Sequence, residues 1–174
     1  MAIDDIGSSL GSHAKDIKIN LKHIITELGS PGLTEKQIHM VLLASVYTTG
    51  DILLIESIEV ELKGLLSDVE INEIKSSVSM MTMNNVYYRF VHLASDKEYV
   101  RMPTNLSMDV IENPGVDKVD FELACLAVSA INGCKMCIDA HLSKVTKEGV
   151  SKVGIQSVIR IAAVINAVAK ALRI

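Results

Sequence analysis

Along most of this chain apolar residues recur at three- and four-residue steps, the period of an amphipathic α-helix. Ile17, Leu21, Ile24 and Leu28 mark it first, with Lys15, Lys18 and Lys22 on other faces. They predict a helix from Ser8 to Leu28, stopped by Gly29-Ser30-Pro31-Gly32. Thr34 caps a second helix, and Gln37 three residues on completes a capping-box pattern. That helix runs through Ile38, Val41, Leu42, Ser45 and Val46 to Gly50. Asp51 starts a third, through Leu54, Ile58 and Leu62, ending near Gly64. Ser67 or Asp68 caps a long fourth carrying Ile71, Ile74, Val78, Met81, Val86 and Phe90. Three more follow, from about Val119 to Ile131, Cys134 to Lys147 and Ile155 to Arg173. With only 10 glycines and 3 prolines among 174 residues, there is too little punctuation for many short strands. The expectation is an all-α fold of about seven main helices.

One segment, from about 96 to 117, breaks the pattern. It holds Pro103, Asn113-Pro114-Gly115 and a short candidate helix from Thr104 to Ile111. It reads as an ordered connector inside a single domain spanning 1–174, between a first half of about 1–95 and a second of about 118–174. A weak repeat relates the halves. Leu43-Ala44 stands before Gly50 as Leu126-Ala127 stands before Gly133, which puts Asp51 and Leu54 in the places of Cys134 and Cys137. The duplicated unit would be helix, glycine break, helix, turn, helix.

Composition removes several functions. A net charge of −4 leaves no electrostatic footprint for nucleic acid, and 3% aromatic content with no Trp leaves no stacking platform. Three cysteines are too few for a disulfide scaffold. The acidic start, Met1 to Gly7, lacks the basic and apolar regions of a signal peptide. The most apolar stretch, Ile155 to Ile174, is interrupted by Gln156, Arg160, Asn166, Lys170 and Arg173, so no membrane span is expected. The expected compartment is a reducing cytoplasm.

Chemistry concentrates in Gly133-Cys134-Lys135-Met136-Cys137-Ile138-Asp139-Ala140-His141. On a helix Cys134, Cys137 and His141 fall within roughly 60° of one another. The Cys-x-x-Cys spacing allows a small disulfide ring. The glycine break places Cys134 at a helix N-terminus, where orphan N–H groups and the dipole favour thiolate. His141, one turn beyond Cys137, can take a thiol proton or hold a water that does.

Blander readings stand beside this one. The two cysteines can be packed core residues, or can bind metal with His141 and a carboxylate, although no second cysteine pair exists to complete a structural zinc site. Glu122 sits twelve residues before Cys134 in a helix whose other residues are almost all apolar. Spacing alone favours a solvated face for it over burial beside a partner such as His141. Cys125 reads as core. His13, His23, His39 and His92 read as surface or capped residues. Met80, Met81 and Met83 read as core filler, and Asn84-Asn85 as a polar seam or subunit contact.

These residues resemble a known family. The stretch from Asn113-Pro114-Gly115 through Phe121-Glu122-Leu123 to Ala127–Gly133, Cys134-x-x-Cys137 and His141 is similar to the alkyl hydroperoxide reductase AhpD family. So are Ala14–Leu21 and Met83-Asn84-Asn85-Val86-Tyr87-Tyr88-Arg89, so the resemblance spans nearly the whole chain. It implies the helical fold of the carboxymuconolactone decarboxylase-like superfamily, built from a duplicated unit and assembled as a homotrimer. It also implies an antioxidant dithiol oxidoreductase that reduces hydroperoxides and holds no cofactor. Electrons would come from dihydrolipoamide on a lipoylated 2-oxoacid dehydrogenase component and pass to the peroxiredoxin AhpC. Carried over, Cys137 is the thiolate that meets peroxide, Cys134 its resolving partner, and Glu122 and His141 the proton relay. Met136 departs from the pattern, since family members often carry histidine there, and its absence bears on direct peroxidase activity more than on dithiol exchange. The alternatives are a non-redox decarboxylase of the same superfamily and a helical binding module with structural metal at the cysteines.

Overall fold

The computed structural model of the chain describes residues 3–174; Met1 and Ala2, which open the acidic stretch that does not read as a signal peptide, lie outside the described residues. The described residues form nine α-helices and no strand. They are α1 (Ile3–Ser9), α2 (Lys15–Ile24), α3 (Glu35–Thr49), α4 (Ile52–Glu61), α5 (Asp68–Leu93), α6 (Asp109–Glu112), α7 (Lys118–Ile131), α8 (Lys135–Lys147) and α9 (Lys152–Ala171). Seven of these have ten residues or more, as the periodicity predicts.

The capping signals sit where the sequence places them. The Thr34 side chain accepts from the Gln37 N–H while the Gln37 side chain accepts from the Thr34 N–H. Ser67 and Glu70 make the same exchange at the start of α5. Two expectations fail. The helix read from Ser8 to Leu28 is two helices separated at Gly11 by a short 3₁₀ turn. Its second part ends at Ile24, because the Thr26 and Ser30 hydroxyls donate to the His23 and Ile24 carbonyls and turn the chain away. The candidate helix from Thr104 to Ile111 shrinks to α6, because Asn105 takes a left-handed conformation (φ 52°) that a helix cannot contain.

At the centre α3 packs against α5, α7 and α9, and α7 packs against α3, α5, α8 and α9. Ten consecutive residues of α7, Asp120 to Ser129, are buried, so every side of this helix faces protein. Each Leu, Val or Phe so enclosed contributes about 1.5–3 kcal/mol of burial. The helix α9 is long and apolar enough to cross a membrane by length and composition alone. It instead presents Val158, Ile161, Ala162, Ile165, Val168 and Ala169 to the core, against α2, α3 and α7.

The repeat has a geometric counterpart. Gly50 ends α3 in the left-handed region (φ 66°) and Asp51 caps α4, accepting from the Leu54 N–H at 3.0 Å. Gly133 follows α7 with φ 67°, and Cys134 caps α8 with its sulfur 3.3 Å from the Cys137 nitrogen. Each pair of helices is followed by a longer one, α5 or α9.

Candidate active site

The glycine at position 133 lets the chain reverse between α7 and α8, and its neighbours fix that turn. The Cys134 N–H donates to the Ser129 carbonyl at 3.1 Å. From α5, Asn85 donates to the Ser129 hydroxyl (3.1 Å) and accepts from the Asn132 amide (3.0 Å), while Arg89 donates to the Asn132 carbonyl (2.7 Å). Of the amide pair that interrupts α5 in sequence, Asn85 thus forms an intrachain polar seam that braces the entrance to α8.

Cys134 and Cys137 are joined as a disulfide, with Cα atoms 5.3 Å apart. They differ in access. Cys134 is fully enclosed, whereas Cys137 retains 6% exposure and lines a pocket of about 320 Å³. His141 lines the same pocket, with Met81, Met108, Met136 and Tyr88 among its walls. The Cys137 sulfur lies 3.9 Å from the Asn84 carbonyl oxygen. Asn84 also lines the pocket. Its amide nitrogen meets the Met108 sulfur at 3.6 Å, while its buried side-chain oxygen has no protein partner.

The carboxylate of Glu122 overturns the solvated reading that spacing favoured. It is 2% exposed and bound by two side chains of α8, His141 Nδ1 to Oε2 at 2.5 Å and Lys144 Nζ to Oε1 at 2.7 Å. Burial pushes this carboxyl up, but the hydrogen bonds from His141 and Lys144 and their charges outweigh it and hold the group below the usual carboxylate range. The other imidazole nitrogen, Nε2, lies 3.0 Å from the Met81 sulfur. Met81 is therefore more than core filler.

Two further charges fall differently. Lys135, beside the motif, pairs with Asp139 at the surface of α8. Lys144, which the motif did not single out, binds Glu122; its place three residues after His141 puts it on the same helical face. Cys125 is fully buried, and burial pushes its thiol up, as an inert core cysteine requires. Among the described residues no group of three or more His, Cys, Asp or Glu is arranged to hold a metal ion. The corresponding place in the first half opens a pocket of about 480 Å³ beside Asp51, Leu54 and Arg173. There Asp51 is paired with Arg173 at 2.9 Å, and neither repeat position carries sulfur.

Residues 97–174 match the model of the carboxymuconolactone decarboxylase family. Relatives named alkyl hydroperoxide reductase AhpD cover almost all of the chain. One from Coxiella burnetii (strain Dugway 5J108-111) is 52% identical over 92% of this chain and 91% of its own length. Another, from Azorhizobium caulinodans, is 46% identical over 99% of this chain and 93% of its own. The chain belongs to the AhpD family. A third relative, from Maricaulis maris, is 43% identical over 99% of this chain and 98% of its own length, so the AhpD likeness takes in both halves and the connector. For an AhpD family member the arrangement is chemically coherent: the sulfur pair opens on one side to a pocket that His141 also lines, and the buried Glu122 carboxylate binds that imidazole.

Proposed function

We propose that this protein is an alkyl hydroperoxide reductase that works through the Cys134–Cys137 dithiol. The observation that carries the reading is the unequal access of the two sulfurs: Cys137 lines the pocket shared with His141, and Cys134 is enclosed behind it. His141, its Nδ1 held by Glu122, takes the proton from Cys137 through Nε2, directly or by one water. The thiolate attacks the distal peroxide oxygen, the O–O bond breaks, alcohol departs, and Cys137 becomes a sulfenic acid. The Cys134 thiol displaces water from it and closes the disulfide.

An external dithiol reverses the state. Its thiolate attacks the accessible Cys137 sulfur and Cys134 leaves, its charge met by the Cys137 N–H at the start of α8. A second thiolate then resolves the mixed disulfide. Dihydrolipoamide on a 2-oxoacid dehydrogenase component is the reductant in this reading. A peroxiredoxin of the AhpC type receives the electrons, and the protein acts as a cytoplasmic homotrimer without a bound cofactor. Thiol counting and intact mass test it. Reduced protein given a small excess of organic hydroperoxide is expected to lose the Cys134 and Cys137 thiols as one intramolecular disulfide, and dihydrolipoamide to restore both. Thiols that stay unreactive would refute the assignment.

A further inference from the structure

We propose that Met81 is a second peroxide-sensitive site, whose oxidation to the sulfoxide withdraws His141 from the dithiol and stops turnover. The inference rests on the pocket being where hydroperoxide meets Cys137. Its own basis is geometric: the Met81 sulfur lies 3.0 Å from His141 Nε2, and both residues line the pocket with Cys137. Met81 is 1% exposed, and the pocket it lines with Cys137 is the route by which an oxidant would meet it.

Timing follows from the state of the cysteines. While the pair is reduced, the Cys137 thiolate is the stronger nucleophile and consumes the peroxide. Once the disulfide has closed, as in this structure, the pocket holds no thiolate, and a further hydroperoxide meets the Met81 thioether beside an imidazole. A sulfur lone pair attacks the distal oxygen and the O–O bond breaks. The sulfur is oxidised by two electrons to the sulfoxide, and the peroxide is reduced to alcohol. The proton on the distal oxygen passes to the departing alkoxide, directly or through His141. No outside reductant or oxidant beyond the hydroperoxide is needed.

The consequence is a change of acceptor. A thioether accepts hydrogen bonds weakly and lets Nε2 go, whereas the sulfoxide oxygen is polar and binds an N–H firmly. With Nδ1–H donating to Glu122 and a protonated Nε2 donating to the sulfoxide oxygen, the ring keeps no lone pair with which to take the Cys137 proton. The lesion accumulates only when peroxide outruns the supply of reducing dithiol. It is reversed by a methionine sulfoxide reductase, not by the dithiol.

The test treats the protein with stepped amounts of tert-butyl hydroperoxide and maps sulfoxides peptide by peptide. Turnover is then measured after peroxide removal and reduction with dihydrolipoamide. Met102, 52% exposed in the connector, is the internal control. Met81 sulfoxide is expected before Met102 sulfoxide, with the fraction of turnover lost equal to the fraction of Met81 oxidised. Modification of Met102 with Met81 intact, or Met81 oxidation without loss of turnover, would overturn the proposal. In Met81→Leu, which keeps the volume and lacks the sulfur, whatever turnover remains is expected to decay severalfold more slowly under the same treatment; decay at the wild-type rate would also overturn it. The first equivalent of peroxide on reduced protein reads the dithiol separately. If no disulfide forms there, the dithiol reading fails and the inactivation proposed here falls with it; if the disulfide forms and Met81 stays unoxidised, only the present proposal is overturned.

Discussion

Glu122 of α7 and His141 of α8, nineteen residues apart, meet in the protein interior with Oε2 2.5 Å from Nδ1. A carboxylate enclosed in a helix as apolar as α7 carries a desolvation penalty of several kcal/mol when unpaired. Here it is offset by two nitrogen donors from one face of α8, which fix both the docking of α8 on α7 and the ring that stands on the Cys137 wall.

Replacing Glu122 by Gln keeps the shape and removes the charge. The reaction of Cys137 with hydroperoxide is expected to slow on the order of 10²-fold, the lower end of what a positioned acid–base pair contributes. Single-turnover kinetics at pH 7, with circular dichroism to check the fold, measures this. Lys144→Gln is expected to cost much less, because that lysine is 43% exposed and its charge is screened by water.

The same carboxylate makes stability depend on pH with a definite sign. Its folded-state value lies below the unfolded value of about 4.3, since the bonds from His141 and Lys144 outweigh burial. Its contribution is therefore complete above about pH 4.3 and is lost as pH falls through the lower folded value. Denaturant melts of the wild type and Glu122→Gln between pH 6 and pH 3 are expected to converge toward the acid end.

The braced turn at Gly133 is open to a separate check. Asn85 is 1% exposed and serves Ser129 and Asn132 at once. Asn85→Ala leaves buried polar groups without partners and is expected to cost about 1–3 kcal/mol. Urea melts give the loss. Reduction of the disulfide in the same variant is expected to speed up, because the segment before Cys134 is no longer held.

Two glycines are expected to respond differently to alanine. At Gly133 the positive φ is the whole difficulty, since an added Cβ meets nothing within 4 Å, and the cost is about 1–2 kcal/mol. At Gly154 a Cβ would stand 2.5 Å from the Gly32 carbonyl oxygen, a backbone atom that cannot swing aside. Gly154→Ala is therefore the more destabilising of the two in thermal melts.

What was legible in the sequence was what local rules control. The capping box at Thr34, a cap at the start of the long α5 and the break at Gly133 all follow from neighbouring residues. The burial of Glu122 does not, because its partners come from another helix and α7 alone offers no sign that a carboxylate will be satisfied. The resemblance to AhpD supplied that residue where periodicity pointed the other way. Met81 escaped for a similar reason, since its contact with His141 crosses between α5 and α8. The early end of α2 was lost to Thr26 and Ser30, whose hydroxyls compete with the helix for its own carbonyls.

In the proposed reaction Cys137 is the sulfur that meets the oxidant. The direct measurement is the intact mass of reduced Cys134→Ser after one equivalent of organic hydroperoxide, with a sulfenic-acid trap and peptide mapping. One added oxygen, trapped at Cys137, is expected, while Cys137→Ser under the same conditions shows no such adduct at Cys134. A sulfenic acid at Cys134 in the second variant, with Cys137 unmodified in the first, would contradict that assignment.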